Sequence, residues 1–183
     1  MNTPKAAGTR QQLLAAANAV VLEHGATALT LDAVARHAGV SKGGLLYHFP
    51  SKEGLVVAMI QQMMEEFEQL LDHEYRSDPA GERPGRWLRA YVRATFAGDA
   101  QTFSSNAAVL AGVALNPELL APVRAHFAAW QQRVENDGVD PALATLVRLA
   151  ADGWWFAQLL DFAPPNAALR TQLRAQLNAL TEA

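Results

Sequence analysis

Between Thr9 and Leu180 apolar residues return every three or four positions, and strict one-in-two alternation never lasts beyond a few residues. That spacing lines one face of an α-helix and scatters over both faces of a strand, so it restricts the chain to helices packed on helices. Gly, Pro and capping residues divide it into segments. A first helix is expected from Thr9 as N-cap to His24, with Leu13, Ala17, Val20 and Val21 on one face and Gly25 as its stop. A second begins after Thr30, turns Leu31, Val34 and Ala35 inward and ends at Gly39. A third starts from Ser41 and cannot pass Phe49, because Pro50 disfavours helical geometry in the residue before it. Ser51 caps a fourth, to about Tyr75, whose stripe of Leu55, Met59, Met63, Phe67, Leu70 and Leu71 follows helical spacing. The stretch RSDPAGERPGR, 76–86, with two prolines and two glycines, is the clearest break. Beyond it the same period predicts helices at 84–98, 104–115, 117–137, 142–162 and 166–181, with Asn116-Pro117, Asp140-Pro141 and Asn166 as start signals.

Composition narrows the class. Half of the 183 residues are apolar, enough for a substantial core, and there is no cysteine, so disulfides and thiolate metal sites are excluded. The first dozen residues hold no apolar stretch of the signal-peptide kind and charges interrupt the longer apolar runs, so a soluble, cytoplasmic chain without a membrane span is expected. Net charge is −3, but it is unevenly spread. Residues 1–52 carry Lys5, Arg10, Arg36, Lys42 and Lys52 against Glu23 and Asp32, a net +3. Residues 53–183 carry ten arginines and no lysine against sixteen acids, a net −6. That asymmetry suggests a basic contact module on an acidic body.

The segment SKGGLLYHFPSKEGL, 41–55, puts two adjacent glycines at a helix start, where each costs about 1 kcal/mol relative to alanine. With the second helix and the turn His37–Val40 it forms a helix-turn-helix pattern, whose second helix enters a DNA major groove. There the glycines have a use: a residue without a side chain lets the backbone approach DNA closely. Lys42 can read a guanine edge or bind phosphate, and Tyr47, His48 and Lys52 are suited to phosphates, which set register rather than sequence choice. Taken singly, such lysines are usually solvated charges and Tyr47 can equally be core.

TLDAVARHAGVSKGGLLYHFPSKEGL, from Thr30 to Leu55, resembles the DNA-binding domain of the TetR family of bacterial repressors, in its spacing, its AGVSKG turn and its YHFPSKE exit. The resemblance covers about the first quarter of the chain. It implies an all-α homodimer: an N-terminal three-helix domain with a helix-turn-helix, 1–52, and a C-terminal helical domain for ligand binding and dimerisation, 53–183. It also implies a double-stranded DNA operator as partner, with Thr30, Ser41, Lys42, Gly43, Gly44, Leu46, Tyr47, His48 and Lys52 as the DNA-binding set. Two positions depart from the family. Gly44 replaces a frequent threonine and Leu46 a frequent aromatic residue, so one phosphate-contacting hydroxyl is missing and Leu46 is left to pack or to touch a thymine methyl group.

The body shows no catalytic constellation: no GxSxG, Walker loop, GxGxxG, HExxH or Glu-x-x-His pair. No enzyme, metal or cofactor is expected; the acids of EEFEQLLDHE, 65–74, read as a solvated face with an Asp72–Arg76 ion pair rather than as a metal site with His73. All four tryptophans lie beyond residue 86. Rings at helical spacing are usually core, but together with the family's ligand domain they make Met63, Phe96, Trp130, Asp152, Trp154 and Trp155 the candidate ligand-binding residues. Asp152 has two readings, a hydrogen-bonded structural acid or the counter-charge of a lipophilic cation. Because the arginines sit in exposed-looking patterns such as RPGRWLRAYVR, a hydrophobic neutral or cationic effector is favoured over an anionic one. The segment 142–162, apolar nearly all round, and the stripe of 166–181 suggest a dimer interface through Leu146, Leu149, Leu169, Leu173 and Leu177. The rival from another class is a helical module that sequesters a hydrophobic ligand or a protein without binding DNA.

Overall fold

The computed structural model describes residues 4–98, 103, 106 and 117–182, and the helix expected at 104–115 therefore falls almost wholly outside the described residues. Eight α-helices and no strand occur among them: α1 (Pro4–His24), α2 (Leu31–His37), α3 (Lys42–His48), α4 (Lys52–Arg76), α5 (Arg86–Ala97), α6 (Ala121–Glu135), α7 (Pro141–Leu159) and α8 (Ala167–Leu180). Short 3-10 turns stand at Ala26–Ala28 and Pro117–Leu120. None of the described helices is long and apolar enough to cross a membrane.

The starts follow side-chain chemistry. Thr30, Ser41, Ser51, Asp140 and Asn166 each accept a hydrogen bond from the backbone N–H three residues on, at 2.9–3.1 Å. Such caps stabilise a helix by about 1 kcal/mol each. Thr9 is not one of them. The first helix begins at Pro4, because proline is tolerated in a helix's first turn and Lys5, Ala6 and Ala7 favour helix. At the other end α7 stops at Leu159, before Asp161 and Ala163 take left-handed conformations.

The chain divides into two compact units, Met1–Met63 with Ser104–Val123, and Met64–Phe103 with Arg124–Ala183. In the first, α1 packs on α2 and α2 on α3. Leu13, Ala17, Val34, Leu45 and Leu55 are fully enclosed, and burying a leucine side chain contributes about 1.5–3 kcal/mol. Gly39, at φ +68°, supplies the left-handed turn between α2 and α3.

In the second unit α5 packs on α7 and α8, and α7 on α8. Trp87 to Val92 and Ala94 to Phe96 are all buried. The proline-and-glycine stretch before α5, which reads as an open break, is a packed corner. Asp78 is buried within it, the carbonyls of Arg83 and Pro84 accept from Arg89, and the N–H of Gly85 donates to the Asp137 carbonyl at 2.7 Å. Gly85 is left-handed at φ +79°, and a Cβ there would stand 2.7 Å from the Thr181 carbonyl oxygen, so conformation and space both require glycine.

Candidate nucleic-acid and ligand sites

The helix-turn-helix presents one side of α3 to its own core and the other to solvent. Leu45 is its one buried residue. Lys42, Gly43, Gly44, Leu46 and Tyr47 are exposed, Tyr47 at 82%, its ring edge-on to that of half-buried His48 with centroids 5.2 Å apart. Tyr47 is thus no core residue. Thr30 and Ser41 spend their hydroxyls on caps, and the Gly44 N–H is the donor that Ser41 takes, at 3.1 Å. A Cβ on Gly44 would stand 3.3 Å from Ser41 Oγ, so a threonine there would crowd the cap. Lys42 Nζ lies 3.0 Å from Asp32 Oδ2, an exposed ion pair between the starts of α3 and α2 that the sequence did not suggest. Lys52 is exposed at the first position of α4 and makes no ion pair among the described residues. Phe49 closes the helix from beneath, with the Arg10 guanidinium 5.4 Å over its ring.

In the second unit Asp152 follows one of its two expected readings, and two further assignments need correction. First, Asp152 is hydrogen-bonded within the chain, as the structural reading expects. Tyr91 Oη donates to Oδ1 at 2.6 Å and Arg148 Nη1 to Oδ2 at 2.6 Å. Burial pushes its carboxyl above the usual carboxylate range although both partners favour the charge, and burial likewise raises the Tyr91 hydroxyl. Second, the arginines of RPGRWLRAYVR are not all at the surface. Arg89 is buried and gives Nε and Nη2 to Asp78 Oδ2 at 2.9 and 2.8 Å, while Arg93 reaches Asp78 Oδ1 at 3.1 Å and Glu74 at 2.8 Å. Burial works against the Asp78 charge, but the two guanidiniums outweigh it and hold the carboxyl below its ordinary value. Third, Glu68 does not belong to a purely solvated face: its Oε1 accepts from Trp130 Nε1 at 2.7 Å and lies 3.4 Å from His126 Nδ1. The expected Asp72–Arg76 pair forms at 2.8 Å. Among the described residues no group of three or more His, Asp or Glu side chains is placed to hold a metal ion.

The rings form two groups. Trp130 touches Phe67 at 5.0 Å, Phe127 at 4.9 Å and Tyr91 at 5.7 Å between centroids. Trp154 is stacked on Phe96 at 4.1 Å and 9°, with Phe103 edge-on at 5.6 Å and the Arg170 guanidinium 5.1 Å from its centroid. Arg170 Nη2 donates to the carbonyls of Phe96 and Gly98. Phe96, Trp130, Asp152 and Trp154 are thus buried in one unit; Met63, also buried, belongs to the other, and half-exposed Trp155 lies edge-on to Phe156. The indole Nε1–H of Trp154 is buried without an acceptor among the described residues, and an unmade buried donor costs about 1–3 kcal/mol.

The apolar faces of α7 and α8 are only half covered. Ala144, Val147, Ala151 and Trp154 point inward, whereas Leu146 is 59% and Leu149 53% exposed, with Phe156, Leu160, Leu169 and Leu180 also exposed. Leu173 is half-buried. Leu177 differs from the rest: it is buried in its own chain, one face of α8 being used internally.

Residues 85–182 match the family profile described as "Tetracyclin repressor-like, C-terminal domain", and residues 13–59 match "Bacterial regulatory proteins, tetR family". The HTH-type transcriptional regulator BetI of Stenotrophomonas maltophilia (strain R551-3) is 34% identical over 87 residues, 48% of this chain and 43% of BetI. The chain thus spans less than half the length of the curated relatives it matches. Among solved structures, a transcriptional regulator from Rhodococcus sp. Rha1 superposes with a TM-score of 0.73 at 21% identity, over 94% of this chain and 96% of that one, a likeness of fold. The multidrug binding protein EbrR complexed with ethidium superposes with a TM-score of 0.68 at 26% identity, over 94% of this chain and 98% of EbrR. EbrR is also known complexed with malachite green.

Proposed function

Because this chain belongs to the TetR family of bacterial regulatory proteins, we propose that it is a ligand-responsive transcriptional repressor that binds a palindromic operator as a homodimer. Residues 1–52 are its reading head and 53–183 its ligand-binding and dimerisation body. The observation that carries the reading is the outer side of α3. Tyr47 is 82% exposed beside Leu46 and Lys42, on a helix anchored from beneath by buried Leu45. Exposed side chains on a short capped helix, Lys42 in an easily exchanged surface ion pair among them, are suited to a groove and its phosphates. Thr30, Ser41, Lys42, Gly43, Gly44, Leu46, Tyr47, His48 and Lys52 make up that surface.

The effector is a hydrophobic small molecule, neutral or cationic, held among the rings of the body. Support comes from the two ring groups, from the Glu68 carboxylate beside Trp130, and from the saturation of the buried Arg89 fork by Asp78, which leaves it nothing for an anion. The EbrR complexes with ethidium and malachite green point the same way. Such a ligand releases DNA only through a difference in affinity between DNA-competent and incompetent states. Leu146, Leu149, Leu169 and Leu173 are the dimer contacts.

A gel shift with the DNA flanking the chain's own gene tests the function, with ethidium and malachite green titrated into the complex. Retarded DNA that is freed by either dye is the expected result. No retardation at low salt would overturn the regulator reading and favour a helical ligand-sequestering module. Leu146→Glu, at an already exposed position, should give folded monomers by sedimentation; an intact dimer would remove α7 from the interface.

A further inference from the structure

Trp154 is 5% exposed, yet its indole N–H meets no acceptor among the described residues. Elsewhere in the same unit comparable donors are served: Trp130 Nε1 by Glu68, Arg89 by Asp78, Arg148 by Asp152. Arg170 repeats the exception. It is half-buried over the Trp154 ring, has no carboxylate within ion-pair distance among the described residues, and gives only Nη2 to the carbonyls of Phe96 and Gly98. An orphan donor and a cation without a carboxylate therefore stand at one cluster of rings, in which Phe96 lies directly on the indole at 4.1 Å and Phe103 edge-on at 5.6 Å.

We infer that Trp154 and Arg170 form an acceptor-reading subsite for an uncharged planar aromatic ligand, whose carbonyl oxygen accepts the hydrogen bond of Trp154 Nε1. The inference rests on the proposed effector-binding role of the body and narrows it to a neutral ligand at this end. The aromatic surroundings suit an apolar ring placed at the indole's N–H edge. The Arg170 charge disfavours a cation here and strengthens an acceptor carrying partial negative charge. A site that offers a buried donor discriminates against a ligand without an acceptor more sharply than an apolar wall discriminates against one methylene.

The test compares 9-fluorenone with fluorene, which share a frame and differ in the carbonyl. Calorimetry on the full chain should give fluorenone an affinity roughly tenfold higher, equivalent to about 1.4 kcal/mol. In protein labelled with ¹⁵N at its four indoles, the Trp154 N–H signal, assigned by its loss in Trp154→Phe, should move downfield with fluorenone and not with fluorene. Trp154→Phe should abolish the preference. Equal affinities, a shift at another indole alone, or a preference that survives Trp154→Phe would each overturn the subsite. Should that variant fail to fold, the wild-type affinity ratio decides, and a ratio near one overturns it. Operator release separates the two readings. Fluorenone bound at Trp154 without DNA release keeps the subsite and sinks the effector role; release by ethidium with no fluorenone binding keeps the regulator and sinks the subsite.

Discussion

The two units treat charge in opposite ways. In the first, Lys42 and Asp32 pair at 3.0 Å with side chains 58% and 61% exposed. In the second, Arg89 and Asp78 pair at 2.8 Å with side chains 3% and 0% exposed. An exposed pair contributes about 0–1 kcal/mol and is easily exchanged for another partner. Breaking a buried one leaves an unsolvated charge and costs about 3–5 kcal/mol. A cation paired with an aspartate thus serves both a surface that must let go of its partners and an interior that must not.

The largest effect is expected where that interior is broken. Arg89→Met should strip Asp78 of its main partner and lower the unfolding temperature of the full chain by roughly 6–20 °C, from about 3–5 kcal/mol at 2–4 °C per kcal/mol. Calorimetry showing a change below about 2 °C would erase the contrast. Next, Lys52→Ala should weaken operator binding and reduce the magnitude of its salt slope by about 1 per contact, so about 2 for a dimer. Its melting curve should not move, because it lies on the surface that gives its charges away; a changed melt with an unchanged salt slope would reverse the assignment.

Acid separates two acids inside the body. The Asp78 carboxyl is held below its unfolded value, so its contribution is complete above that value and is lost as pH falls through the folded pKa. The Asp152 carboxyl is raised, so its ionisation costs stability at neutral pH and that cost is relieved on acidification. Urea midpoints between pH 3 and 7 should accordingly fall less on acidification in Asp78→Asn than in the wild type, and more in Asp152→Asn. Identical pH profiles would show that neither acid is coupled to folding. The smallest effect belongs to Asp32→Asn, expected to change stability by less than about 0.5 kcal/mol while freeing Lys42 to bind nonspecific DNA slightly more tightly in a filter assay.

Local chemistry was readable from the sequence. Thr30, Ser41, Ser51, Asp140 and Asn166 cap the helices at which they stand, because a cap needs only its own residue and the next three. The side of α3 that faces inward was not read: Tyr47 was left open as core, whereas Leu45 is the buried residue and Tyr47 is exposed, because seven residues hold too few apolar positions to fix the helical phase. Partners far along the chain were not readable. Arg89 meets Asp78 across a proline corner, and Glu68 meets Trp130 sixty-two positions away, and no periodicity encodes either pairing. Asp152 stands between these cases: Arg148 lies one turn before it on α7 and was available as an i,i+4 partner, whereas Tyr91 on α5 was not. Leu177 was placed with its stripe, but heptad-like spacing cannot tell which leucine of a stripe turns to its own chain.

The knot of Glu74, Asp78, Arg89 and Arg93 also sets terms for recombining such proteins. RSDPAGERPGR looks like a seam for joining a foreign reading head to this body. A splice between Asp78 and Arg86, however, would hand one partner of each buried pair to one parent and the second partner to the other. Unless both parents carried matching acids and guanidiniums, the hybrid would inherit unmatched charges in its interior. A crossover N-terminal to Glu74, within α4, keeps all four residues from a single parent, so the transferable module includes the last turn of that helix.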